Sequence, residues 1–261
     1  MTAPRDASES ARARTRALPG IVSLIGFLGL WEIAARLSGV PAFILPTPSR
    51  ITGVLVRRFD VIAPEALVTL GEIAGGFVAG TCAGLAFALL MARWRFAAEA
   101  FGPLLVVAQA LPVFAIAPVL VLWFGFGFTS KIVMCGLIIF FPVATSFFEG
   151  LRRTEPGLID LAQLNNARPF DTLRLIRVPA ALPSLAAGLR IAAAVAPLGA
   201  VVGEWVGSSS GLGLLMLHAN ARMQTDLVFA ALFVLVVLSL GLWATVGLLT
   251  RRLLHWSPAT A

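Results

Sequence analysis

Apolar residues in this sequence fall into long uninterrupted runs rather than at amphipathic spacing. Six runs, at residues 19–37, 65–91, 102–124, 131–148, 185–206 and 226–249, approach the roughly 20 residues that a helix needs to cross a hydrocarbon core about 30 Å thick. Their interiors are Leu, Val, Ala, Phe and Gly, without the alternation that marks a membrane barrel. Backbone groups in lipid must be satisfied within the segment, so each run is predicted as a helix. The runs and their connections predict one membrane domain over 19–256, preceded by a disordered basic tail (1–18) and followed by a short one (257–261).

The connections carry their own signals. "PAFILPTPSR" holds three prolines and cannot be regular helix. "SRITGVLVRRF" then predicts a short interfacial helix with Ser49 as its N-cap. The glycine-rich turn "WFGFGFTSK" makes the third and fourth spans close antiparallel neighbours. The longest connection, 149–184, predicts two short helices. One opens at Thr154 as N-cap with Glu155 and Pro156 in its first turn, and ends at Asn165 and Asn166, since Asn tolerates the left-handed conformation that closes a helix. The other starts at Pro169, has Asp171 at its N-terminal end and Arg174 and Arg177 near its C-terminal end, and stops at Pro179.

Composition fits the runs: 59% of the 261 residues are hydrophobic and 13% charged, against about 25% charged in soluble domains. With the N-terminus inside, 14 of the 20 basic residues flank inner span ends, so both termini are predicted to be cytoplasmic by the positive-inside rule. The net charge of +7 then needs no nucleic-acid partner. The first run is long, contains Glu32 and lacks a small-residue cleavage site, which favours an uncleaved span over a secretory signal. Cys82 and Cys135 both fall inside predicted spans and read as small buried hydrophobes.

Catalytic parts are scarce. His218 and His255 are placed on opposite membrane faces, which excludes His-based triads and metal clusters. The one lysine, Lys131, follows a serine instead of preceding one, so a phosphate-cradling Gly-Lys-Ser/Thr loop is absent. Glu32, Glu72 and Glu204 lie in or near spans, where acids are costly. The first two read as interhelical hydrogen-bonding groups. Glu204, flanked by Gly199, Gly203 and Gly207, is read equally as such a group or as part of a substrate pathway with Trp205, Trp123 and Phe124. No span is expected to hold a cation deep in its interior.

With its polar loop placed inside, the chain resembles the permease subunits of ATP-binding-cassette importers, of the family handling nitrate, sulfonates, taurine and thiamine-pyrimidine precursors. The resemblance rests on "ILPTPSRI", "TLGEIAGGF", "LPVFAIAPVLVLWFGFG", "FFPVATSFFEGL" and "VPAALPSLAAGLRIA". It implies an all-α type I importer permease fold with six transmembrane helices in a bacterial inner membrane. The polar loop is similar to that family's ATPase-docking loop. Asp160, Leu161 and Ala162 stand at its Glu-Ala-Ala, Asn166 at its glycine, Ile176 at its isoleucine, and Val178-Pro179 at its close. The resemblance further implies a separate ATPase chain that holds ATP and Mg, an external solute-binding protein, a permease homodimer in membrane lipid, and no cofactor on this chain. Residues 199–235 and Glu72 look most like the branch for hydroxymethylpyrimidine-type thiamine precursors. Nitrate, sulfonate or taurine transport is the alternative, and a membrane-embedded enzyme using Glu204 the rival from another class.

Overall fold

A computed structural model describes the backbone of residues 6–254 and 256, with side chains from residue 22 onward. The predicted tails fall largely, and His255 wholly, outside the side chains described. Among the described residues the secondary structure is helical throughout, with no strand. Four stretches among the described residues are long and apolar enough to cross a membrane: Phe59–Arg93, Phe128–Arg152, Pro169–Gly207 and Thr225–Leu253. The first predicted span begins among residues whose side chains are not described.

The predicted third span is corrected. It is two helices, α4 (Arg95–Ala110) and α5 (Val113–Phe124), meeting at 100°. Leu111 and Pro112 are both extended, with ψ of 126° and 111°. Proline's ring excludes the helical conformation from the residue before it, so the run stays apolar while its backbone changes direction.

The chain divides into two compact units: the residues up to Asp60 together with His218–Ala230, and Val61–Leu217 together with the residues from Ala231. The first unit holds α1 (Asp6–Leu37) and α2 (Pro48–Arg57). Thr47, rather than Ser49, caps α2, its Oγ1 accepting from the Arg50 amide at 3.4 Å. Ser49 instead ties α2 to α1, donating its N–H and Oγ–H to the Glu32 carboxylate at 2.9 and 2.7 Å. Arg50 pairs with Asp226 at 3.2 Å, and Trp31 meets Phe229 with ring centroids 5.6 Å apart.

The second unit is organised around α6 (Phe128–Arg152), which α3 (Phe59–Arg93) and α9 (Val178–Gly207) approach at backbone distance. Gly76, Gly80 and Gly84 recur every fourth residue and so line one face of α3. A Cβ at Gly80 would stand 2.4 Å from the Gly136 carbonyl oxygen. On α9, a Cβ at Gly188 would lie 2.6 Å from Ser146 Cβ, and one at Gly199 2.7 Å from Cys135 Cα. Helices in lipid gain nothing from mutual hydrophobicity and associate by such close approach of small residues. Cys135 is buried there and donates its Sγ–H to the Ala196 carbonyl at 3.3 Å, whereas Cys82, read as buried, is exposed.

Candidate functional site

The inner loop is built by its punctuation residues. Thr154, expected to cap a helix, instead closes the preceding one: it is buried and donates to the Leu151 carbonyl at 3.2 Å. Helix α7 (Pro156–Leu164) opens on Pro156, with Glu155 at its N-cap position but making no side-chain capping bond. It ends at Asn166, whose φ of +54° is left-handed. The Asn166 amide donates to Gln163 and the Ala167 amide to Ala162, both at 2.9 Å. That paired closure satisfies two carbonyls a helix end would otherwise leave bare.

Pro169 then opens α8 (Pro169–Thr172), but Pro179 does not stop it. The helix widens into a π-helical turn, Leu173–Arg177, in which the Val178 amide reaches back five residues to Leu173, and it continues unbroken as α9. A π turn relaxes the spacing just where the proline ring and its missing N–H disturb the regular ladder. Of the residues assigned to docking, Asp160 and Asn166 are exposed, Ala162 is buried, and Ile176 and Pro179 are half-buried. Between them α7 and the second helix present Leu161, Leu164, Phe170 and Leu175 to solvent. Monomers seldom leave apolar side chains grouped in this way without a partner for them.

Arg177 links this loop to the spans, a role that sequence reading missed. Its Nε donates to the Leu151 carbonyl at 3.2 Å and its Nη1 to the Ala92 carbonyl at 3.3 Å. Both carbonyls lie in the last turn of a helix, α6 and α3 respectively, where orphan acceptors and the negative end of the dipole favour a cation. One guanidinium therefore fastens the π turn to two membrane helices at once.

At the other end of the unit, polar groups from α3 and α9 meet the start of α10 (Leu212–Ala221). Glu204 is fully buried, accepting from Thr69 Oγ1 at 2.6 Å and from the Gly213 amide. Thr69 accepts from the Leu212 amide at 2.8 Å, and Glu65 from that of Gly211. Three consecutive amides at the opening of α10 are thus met by side chains of other helices, since the segment provides no cap of its own. Gly211, at φ +117°, could not be otherwise: a Cβ would lie 2.3 Å from Glu204 Cδ. Glu72, one turn after Thr69 on α3, is likewise buried, and its Oε2 has no hydrogen-bond partner. Trp205 donates its indole N–H to the Gly213 carbonyl at 3.0 Å.

Lys131, in the first turn of α6, is buried although it stands at the end of its helix and not deep in the span. It is 4% exposed, and its Nζ donates to the carbonyls of Phe126 and Gly127, both at 3.1 Å. Gly203 makes the room, since a Cβ there would stand 3.2 Å from Lys131 Cγ. The buried carboxyls of this part of the unit are those of Glu72 and Glu204. Of the four residues read as a pathway, Glu204 and Trp205 join this cluster. Trp123 (71% exposed) and Phe124 stand outside it at the end of α5.

A separate open groove of about 470 Å³ lies beside the α4–α5 bend. Its walls are apolar, from Val113, Ile138, Phe141, Ile191 and others, and its polar side chains are Gln109, Thr145 and Ser146. No charged residue lines it.

Comparison with known proteins places this geometry. The chain is 50% identical over 230 residues, 88% of its length and 94% of the relative's, to a probable ABC transporter permease protein of Haemophilus influenzae. It is 37% identical to the riboflavin transport system permease protein RibX of Chloroflexus aurantiacus, covering 91% of this chain and 90% of that one. Identity is 35% with the formylaminopyrimidine transport permease protein ThiX of Halalkalibacterium halodurans, covering 92% and 96%. Among solved structures, an inward-facing MetNI methionine ABC transporter matches with a TM-score of 0.66 at 18% identity, covering 75% of this chain and 97% of that chain. The last likeness shows the fold, that of type I ABC importer permeases. Residues 60–255, the part that carries both the inner loop and the buried cluster, match the binding-protein-dependent transport system inner membrane component family, and the chain belongs to that family.

Proposed function

We propose that this ABC importer permease subunit carries a neutral planar heterocycle of the pyrimidine thiamine-precursor class. The observation that supports the reading most is the groove beside the α4–α5 bend: apolar walls, three neutral hydrogen-bonding side chains and no charge. Small-molecule sites are typically of this size, apolar with a few placed polar groups. A desolvated anion would instead need a compensating charge or several aimed donors. Lys131 is the one buried lysine, and it is already engaged by two carbonyls. Loss of this subunit abolishes growth on a low concentration of a pyrimidine thiamine precursor and leaves use of taurine, alkanesulfonates and nitrate unchanged. The reverse growth pattern overturns the cargo. The 37% identity with a riboflavin permease favours a flavin as the second reading, and uptake of labelled riboflavin by the same strains separates the two.

As a permease the chain is not an enzyme, and ATP hydrolysis belongs to a separate ATPase subunit. In this proposal the segment from α7 to the π turn docks on that ATPase, with Asp160, Ala162, Asn166, Ile176 and Pro179 at the contact and no ATP or Mg held by this chain. Two copies of the chain form the pathway within the lipid of the inner membrane. Trp123 and Phe124, exposed on the single chain, lie along that pathway in this proposal.

Both termini lie in the cytoplasm in this arrangement. In a variant lacking Cys82 and Cys135, a cysteine at Ser209 therefore reacts with an impermeant thiol reagent in intact cells, whereas cysteines at Ser8 and Ser257 react only after permeabilisation. Labelling of either terminal cysteine in intact cells contradicts the orientation.

A further inference from the structure

Five arginines line two neighbouring cavities around the α3–α4 junction: Arg93, Arg95, Arg152, Arg174 and Arg177. Three of them are engaged. Arg95 pairs with Glu99 at 2.9 Å, Arg152 with Glu149 at 3.7 Å, and Arg177 holds its two backbone carbonyls. Among the described residues, Arg93 and Arg174 have no such partner, and both line the same trough of about 450 Å³. The rest of that trough is apolar or aromatic: Ala86, Leu89 and Leu90 from the end of α3, Leu173 and Val178 from the π turn and α9, with Trp94 and Phe170. The α3 residues belong to a helix apolar enough to cross a membrane. Trp94, at the break between α3 and α4, is half exposed, and tryptophans of this kind mark the headgroup level.

We infer that this trough is a binding site for an anionic phospholipid of the cytoplasmic leaflet. Arg93 and Arg174 hold the phosphate, and an acyl chain lies along Ala86, Leu89, Leu90 and Val178. The occupant must offer a negative head to two unpaired guanidiniums and an apolar tail to the wall directly below them, and a phospholipid carries both in one molecule. Basic recesses between spans on the cytoplasmic side are where acidic lipid headgroups bind, and arginine matches phosphate with a planar fork of donors. Phe170 and Arg174 belong to the segment proposed above to meet the ATPase, but the trough they line is walled on its other side by Ala86, Leu89 and Leu90 of α3, so a protein partner covering it would have to bring apolar surface to the membrane-spanning end of that helix. The inference rests on the orientation proposed above only for the leaflet it names, because binding in detergent or mixed lipid is independent of sidedness.

The test uses the full chain, purified and delipidated in detergent, titrated with phosphatidylglycerol or phosphatidylcholine and read by native mass spectrometry. Phosphatidylglycerol is retained, and each of Arg93→Ala and Arg174→Ala weakens its retention about fivefold, the effect of one basic residue at an anionic surface. The Arg95→Ala/Arg152→Ala pair leaves retention unchanged. A second measurement leaves the arginines in place: phosphatidylglycerol brominated on its acyl chains quenches wild-type tryptophan fluorescence more than it quenches Trp94→Phe, and brominated phosphatidylcholine shows no such difference. Equal retention of the two lipids, equal losses in the control pair, or no difference on removing Trp94 overturns the site. Displacement of the lipid by millimolar inorganic phosphate reduces it to an anion site, and displacement by the bound ATPase subunit makes the trough a protein contact; either result overturns the lipid assignment.

Discussion

Alanine at position 177 abolishes ATP-driven uptake while the chain still inserts in the membrane. The Arg177 guanidinium donates to the Leu151 and Ala92 carbonyls, so it is the polar tie between the π turn and the inner ends of α6 and α3. Hydrogen bonds from a charged donor contribute roughly 1.5–3 kcal/mol each, and without them the Leu151 carbonyl keeps only the neutral Thr154 hydroxyl. Without the tie, movement of the loop is no longer passed to the helices that must rearrange. In the assembled importer the Arg177→Ala variant retains ATP hydrolysis, loses its stimulation by loaded binding protein, and shows uptake at background. Arg177→Lys is intermediate, because a lysine ammonium reaches either carbonyl but lacks the rigid fork that spans both. Normal uptake by Arg177→Ala would remove the tie from the mechanism.

Replacing Glu204 by alanine has a comparable effect from the opposite end of the unit. The substitution strips the acceptor from the buried Gly213 amide and the shorter of two acceptors from Thr69 Oγ1, which keeps the Glu65 carbonyl at 3.1 Å, and an unsatisfied buried donor costs about 1–3 kcal/mol. The opening of α10 is then released, since the three amides there depend on Glu65, Thr69 and Glu204. Expected are a fall in the thermal midpoint of the purified chain and a loss of uptake of at least about tenfold. Glu204→Gln, which keeps one acceptor oxygen, loses less on both counts. Thr69→Val, which removes both the donor to Glu204 and the acceptor for Leu212, behaves like Glu204→Ala. Unchanged uptake in Glu204→Ala would show that the start of α10 is held by something other than this cluster.

How much of this was readable from the chain depended on whether a feature is local. Helical spans follow from apolar runs alone. The closure of α7 at Asn166 follows from one residue's tolerance of positive φ, with Pro156 and Pro169 marking where helices begin. The bend at Leu111–Pro112 was missed because hydropathy records what a segment is made of and not where it points; the proline in "QALPVF" was the available signal. Pro179 was read as a stop because a lone helix would end there, but the extra carbonyl spacing of a π turn absorbs it. The Glu204 cluster was least legible. Thr69 and Glu204 are 135 positions apart, and nothing near Thr69 marks it as a partner. Lys131 stands at a span's outer edge in sequence, and only the space left by Gly203 on α9 lets it turn inward. Arg177 looked like one more inner arginine until its two carbonyls were placed around it.

The central claim is that this chain moves solute only when a separate ATPase acts on its inner loop. Proteoliposomes containing the chain, the ATPase subunit and the loaded binding protein test it directly, by uptake of labelled solute with ATP or with a non-hydrolysable analogue. The account predicts ATP-dependent uptake by the assembled importer, none with the analogue, and neither uptake nor ATP hydrolysis by the chain alone. Uptake or hydrolysis by the isolated chain would contradict it.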